Sequence, residues 1–120
     1  MTAPTQTRYD IDLLKRSFES WDLDQLRELY HEDVEQIEMD EVTPPADPRR
    51  RNKAELMQIF ENGCNAGVKI SLDNPVVGED RVACTFTCAF DDGRRIVANS
   101  ILDVRDGKIV RQFDVQARDS

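Results

Sequence analysis

From residue 68 onward, apolar and polar side chains alternate with a period of two, and three turn signals interrupt the pattern: Gly78-Glu79-Asp80, Asp91-Asp92-Gly93 and Asp106-Gly107. Alternation of this kind marks strands with one buried face, and turns this short join antiparallel neighbours. The punctuation defines four strands over residues 68–74, 81–90, 94–105 and 108–116, a meander with no helix between its members. Such a sheet must bury one face, so the preceding half of the chain has to supply the cover.

That half has the helical period. Ile11, Leu14, Phe18 and Trp21 recur at spacings of three and four, which predicts a helix over 8–21. Asp22 can satisfy free amides at the start of a second helix whose apolar side is Leu23, Leu26, Leu29 and Tyr30, and which ends near His31, where a cation would complement the helix dipole. Residues 34–42 alternate again, with Ile37 and Met39 on one face and Gln36, Glu38 and Asp40 on the other, as in a strand. Pro44, Pro45 and Pro48 make 43–51 a loop. Asn52 with Glu55 resembles a capping box, and Leu56, Ile59, Phe60 and Cys64 mark a third helix that Gly63 and Gly67 end. The expected architecture is α+β: three N-terminal helices packed on one face of a curved, mainly antiparallel sheet, with a pocket on the concave side. Residues 1–7 are expected to be a flexible lead-in and 8–120 a single domain, since 120 residues suffice for one core.

Composition removes several classes of function. A net charge of −8 repels phosphate backbones, which argues against nucleic-acid binding. No apolar run approaches the roughly 20 residues of a membrane helix, and Met1 to Thr7 lacks a signal-peptide apolar region, so the expected location is cytoplasmic. One histidine and three scattered cysteines give a metal site little material, and no glycine-rich loop is present to cradle a nucleotide. No metal and no cofactor are expected.

In the last strand Gln112, Asp114 and Gln116 share one face, and Phe113 and Val115 the other. Alternation leaves open which face is inward. If Asp114 points inward, desolvation raises its pKa and fits it for acid–base work near neutral pH, with Gln112 and Gln116 orienting a carbonyl or hydroxyl. If it points outward, the three are polar surface. Glu38 lies in an acidic stretch whose ordinary explanation is a solvated edge, Arg49 to Arg51 read as a solvated loop patch, and Tyr9 and Tyr30 as aromatics at the edge of the core. The 94–105 strand is apolar on both faces, with Ile96, Ala98, Leu102 and Val104 on one and Val97 and Ile101 on the other. A homodimer through the outer sheet face would cover the second.

The order of elements, together with Leu29-Tyr30-His31-Glu32-Asp33-Val34 and Asp106-Gly107-Lys108-Ile109-Val110, resembles the nuclear transport factor 2-like superfamily, in particular its SnoaL-like and ketosteroid isomerase-like branches. The resemblance implies a conical, often homodimeric fold whose interior takes apolar ligands, in isomerases, cyclases, epoxide hydrolases and noncatalytic binders. Carried over by position, it makes Asp114 the proton-handling residue of the final strand and Glu38 the carboxylate of the first. The tyrosine of the isomerases falls on Leu14 and their protonatable aspartate near Ser100, so the oxyanion-stabilising pair is altered. The arginine and second aspartate of the hydrolases have no counterpart around Thr85 and Thr87. The expectation is binding of an apolar or carbonyl-containing organic molecule, with Asp114 and Glu38 catalytic and Gln112, Gln116, Ser100, Leu14 and Phe18 in contact with ligand. A catalytic cavity would make the chain a cofactor-independent isomerase, cyclase or lyase. The alternative is a noncatalytic ligand-binding or protein-interaction homodimer.

Overall fold

The computed structural model describes residues 8–119, so the lead-in expected over 1–7 lies outside the described residues. Helix α1 (Ile11–Glu19) starts at Asp10, whose carboxylate accepts the Leu13 amide at 3.0 Å, and α2 (Leu23–Leu29) starts at Asp22, which accepts the Gln25 amide at 3.1 Å. In each case an aspartate oxygen takes up an N–H that the first helical turn leaves without a partner. Helix α3 (Lys53–Asn65) opens on the full capping box: Glu55 N donates to Asn52 at 2.9 Å, and Asn52 N to Glu55 at 3.0 Å.

The six strands are β1 (Tyr30–Met39), β2 (Arg49–Arg51), β3 (Lys69–Val77), β4 (Arg81–Ala89), β5 (Arg95–Arg105) and β6 (Lys108–Arg118), in spatial order β2-β1-β6-β5-β4-β3. Strands β3 to β6 form the expected meander. At its far edge β1 runs parallel to β6 and β2 antiparallel to β1, which completes a mainly antiparallel sheet. The helices cover one face, with Leu14, Phe18 and Leu26 meeting Tyr30, Leu72, Val82, Phe86, Leu102 and Ile109 in the core. This is the α+β architecture expected from the periodicity, in the cone form that the resemblance implied.

Several boundaries move. β1 begins at Tyr30 and not at Val34, so His31 lies in a strand rather than at a helix end, and its Nδ1 accepts the Asp33 amide at 3.0 Å. Residues 43–51 are not loop throughout, because Arg49–Arg51 pair with Glu38, Ile37 and Gln36. Strand β3 continues past Asn74 to Val77, accommodating Pro75 with a register irregularity and a left-handed Asn74 (φ 54°). Gly63 does not end α3. It lies inside the helix, where a side-chain carbon would approach the Trp21 ring to 3.0 Å, so glycine is what lets that indole pack closely; Gly67, at φ 71°, follows the helix end instead.

Candidate functional site

A cavity of about 370 Å³ opens between the helices and the concave face of the sheet. One wall is apolar and largely aromatic: Phe18, Trp21, Leu56 and Phe60 from the helical side, with Phe86 and Ile96 from the sheet. Edge-to-face packing of Phe18 on Phe60 and Phe86, at centroid separations of 5.1 and 5.0 Å, fixes that wall. The Trp21 indole donates to the Val68 carbonyl at 2.7 Å, although Trp21 sits at the sterically costly φ of 51° between α1 and α2.

The other wall is polar, and the register of three neighbouring strands builds it. Gln36 pairs with Gln112 and Glu38 with Asp114 across the parallel β1–β6 ladder, while Ser100 pairs with Asp114 across β5–β6. Paired residues in adjacent strands point to the same face, so all five side chains converge. The inward reading of Gln112 and Asp114 therefore holds: Asp114 is only 3% exposed.

The Asp114 carboxylate accepts four hydrogen bonds from neutral donors. Oδ1 takes the Ser100 hydroxyl at 2.5 Å and Gln112 Nε2 at 3.2 Å, and Oδ2 takes Gln36 Nε2 at 2.6 Å and Gln112 Nε2 at 3.0 Å. Burial pushes its pKa up from the ordinary 3.8, and the nearby Glu38 charge adds to this; the Ser100, Gln36 and Gln112 hydrogen bonds oppose the rise without cancelling it. Glu38, 5% exposed, behaves the other way. Burial pushes its carboxyl up, but the Arg51 and Arg49 guanidinia and the Gln36 amide outweigh burial and hold it below the ordinary 4.5. Arg49 Nη1 donates to Oε2 at 2.6 Å, while Oε1 receives Arg51 Nη1 at 3.0 Å and Gln116 Nε2 at 2.8 Å.

Of the residues singled out in the sequence, Asp114, Glu38, Gln112, Gln116 and Phe18 line this cavity. Ser100 reaches it only through its hydrogen bond to Asp114, and Leu14 is fully buried in the core and does not line the cavity. Three partners escaped the sequence reading. Arg49 and Arg51 form the guanidinium edge of the site instead of a solvated patch, because β2 adds to β1 and turns both side chains onto Glu38. Tyr30 is a fully buried hydroxyl donor rather than an edge aromatic, bonding Gln112 Oε1 at 2.6 Å. The only available signal was alternation: residues 49 and 51 share a face, as Gln36 and Glu38 do. Among the described residues no group of three or more His, Cys, Asp and Glu side chains is placed to hold a metal ion, and no helix is long and apolar enough to cross a membrane.

Residues 13–112 match the family model of the SnoaL-like domain. No curated protein matches the chain in sequence. Among solved structures, a candidate ketosteroid isomerase from Kribbella flavida superposes with a TM-score of 0.71 at 16% identity, covering 88% of this chain and 73% of its own. IdmH, a candidate polyketide cyclase from Streptomyces antibioticus, gives 0.67 at 22% identity, covering 88% of both chains. An epoxide hydrolase-like protein of M. tuberculosis gives 0.65 at 12%, covering 88% of this chain and 78% of its own. At these identities the likeness is one of fold.

Proposed function

The chain belongs to the SnoaL-like domain family, and from that premise we propose that its cone binds an apolar or carbonyl-containing organic molecule and that Asp114 moves a proton on it. The observation that carries this reading is one buried carboxyl, with raised proton affinity, set in the polar wall of a cavity whose facing wall is aromatic. An apolar ring system fits against Phe18, Trp21 and Phe60, and its polar edge then meets Asp114, Gln112 and Gln116. A carboxylate with raised pKa is the stronger base, which is what abstraction of a proton next to a carbonyl requires. In that step the C–H bond breaks, its proton goes to Asp114, and the electron pair moves onto the carbonyl oxygen as an enolate. Return of the proton to a different carbon is isomerisation; in cyclisation the enolate carbon bonds to a second carbonyl carbon, whose π pair passes to its oxygen, and that oxygen takes the proton from Asp114. Glu38 stays ionised throughout and holds Arg49, Arg51 and Gln116 in place.

The simple bicyclic ketone 2-tetralone tests this without knowledge of the natural substrate. Trp21, the single tryptophan, lines the cavity, so its fluorescence reports binding. The expected result is deuterium uptake at the ketone α-carbons faster than in buffer, slowed roughly 10²- to 10⁴-fold by Asp114→Asn with binding retained. An Asp114→Asn protein that exchanges as fast as wild type contradicts the assignment.

A second reading, a noncatalytic ligand-binding or protein-interaction homodimer, draws support from Val97, Ile101 and Val115, which are 39%, 41% and 49% exposed on the outer face of β5 and β6. A dimer mass by light scattering at micromolar concentration is its expected result, and a monomer mass counts against it.

A further inference from the structure

A glutamine side chain carries one acceptor oxygen and an NH2 donor, so whatever holds the oxygen decides where the donors point. Tyr30 holds the oxygen of Gln112. Its hydroxyl donates to Gln112 Oε1 at 2.6 Å, and the NH2 is thereby turned onto both oxygens of Asp114, at 3.2 and 3.0 Å. Arg51 does the same on the opposite side: Nη1 donates to Gln36 Oε1 at 2.8 Å, and Gln36 Nε2 reaches Asp114 Oδ2 at 2.6 Å. Were either amide to turn over, its oxygen would face the carboxyl group. An oxygen in that position repels a carboxylate and welcomes a carboxylic acid.

We propose that Tyr30 is a positioning residue for Asp114: by holding Gln112 in one amide orientation it keeps Asp114 ready to receive a proton instead of already carrying one, and Arg51 holds Gln36 to the same end. Tyr30 is buried behind the cavity wall and does not line the cavity, so it acts through Gln112 and not on a ligand. Burial raises the Tyr30 pKa well above 10.0, so the hydroxyl keeps the proton it donates. The titratable and charged groups facing Asp114 from the packed elements are Glu38 and Tyr30 on β1, Arg51 on β2 by way of Gln36, and the thiols of Cys84 and Cys88 on β4. Burial pushes those thiols up to about 12 and about 11, so they remain neutral and leave Glu38 as the neighbouring anion. The proposal rests on the reading that Asp114 is the working carboxyl, yet its test needs no substrate.

The test is a ¹³C NMR titration of the Asp114 carboxyl in the ligand-free protein, assigned by its loss in Asp114→Asn. Tyr30→Phe removes one hydroxyl and frees Gln112, so the Asp114 midpoint is expected to rise by about one pH unit. Gln112→Met also removes donors to the carboxylate and raises the midpoint, and adding Tyr30→Phe to Gln112→Met moves it no further. A midpoint unchanged by Tyr30→Phe overturns the proposal. So does an equal shift in both backgrounds, which would mean that Tyr30 acts independently of Gln112. Should Tyr30→Phe alone fail to fold, Tyr30→Met, which fills the site with an apolar chain and equally frees Gln112, is read the same way: a raised midpoint supports the proposal, and an unchanged one refutes it. Expected midpoints combined with no dependence of 2-tetralone exchange on Asp114 would overturn the proposed chemistry while leaving the positioning role standing.

Discussion

Asp114 and Glu38 face each other across the parallel β1–β6 ladder, are almost equally buried, and both accept hydrogen bonds from the amide of Gln36. Their proton affinities nevertheless move in opposite directions. The difference lies in the partners. Glu38 is at the β2 side, where two guanidinia reach it directly, whereas Asp114 lies one strand further in and meets only hydroxyl and amide donors. Neutral donors favour an ionised carboxyl but do not replace the solvation that burial removes, while cations at bonding distance do. Two groups of one kind, separated by a single strand, are thereby given different work: one keeps its charge and the other can trade protons.

The division would fail most visibly in catalysis. Asp114→Asn should remove most of the exchange of 2-tetralone, by roughly 10²- to 10⁴-fold, while Glu38→Gln should cost about tenfold or less because it disturbs only the surroundings. Equal losses in the two variants would mean that the roles are shared. The next effect is on stability. Glu38→Gln leaves Arg49 and Arg51 without their common anion, and the cost on unfolding in urea should be about 1–3 kcal/mol, because Arg51 is largely buried whereas Arg49 is 41% exposed and keeps Asp40 at 3.8 Å. In the same variant the Asp114 midpoint should fall, since the Glu38 charge helps to raise it.

The smallest effect is the pH dependence of stability, and here the two carboxyls carry opposite signs. The Asp114 pKa is higher folded than unfolded, so its contribution is fully present below the unfolded value and is lost as pH rises through the folded midpoint. The Glu38 pKa is lower folded than unfolded, so its contribution is present above the unfolded value and is lost as pH falls through the folded midpoint. Denaturation measured from acid to neutral pH should therefore show a shallower acid-side slope in Glu38→Gln, with the rest carried by Glu19, Glu32, Asp40 and Asp92, and a flatter fall toward neutral pH in Asp114→Asn.

Much of this arrangement could be read from the chain, because local periodicity specifies it. Alternation placed Gln112 with Asp114 and Gln36 with Glu38 on shared faces, but counting back from the Asp106-Gly107 turn sets Ser100 against Phe113, and only the register shift between Asp103 and Val104 brings it opposite Asp114. What local pattern does not encode is which distant strands meet. The parallel β1–β6 pairing joins Glu38 to Asp114, 76 positions apart in the chain, and no turn signals it. β2 is three residues long and follows three prolines; it is a strand only because β1 offers it an edge, so its arginines looked like loop. Tyr30 looked helical because Leu23, Leu26 and Leu29 carry the helical spacing up to it and no glycine or proline marks the change to extended backbone. Leu14 and Phe18 lie on one helical stripe, and the stripe identified both as buried without revealing that only Phe18 reaches the cavity.

The most direct measurement is the pair of carboxyl titrations by ¹³C NMR in the ligand-free wild-type protein, with Asp114→Asn and Glu38→Gln giving the assignments. The Asp114 carboxyl should titrate above its ordinary 3.8 and the Glu38 carboxyl below its ordinary 4.5. An Asp114 carboxyl that titrates at or below 3.8 would contradict the central claim, since the residue assigned to receive protons would then hold them no better than an exposed aspartate.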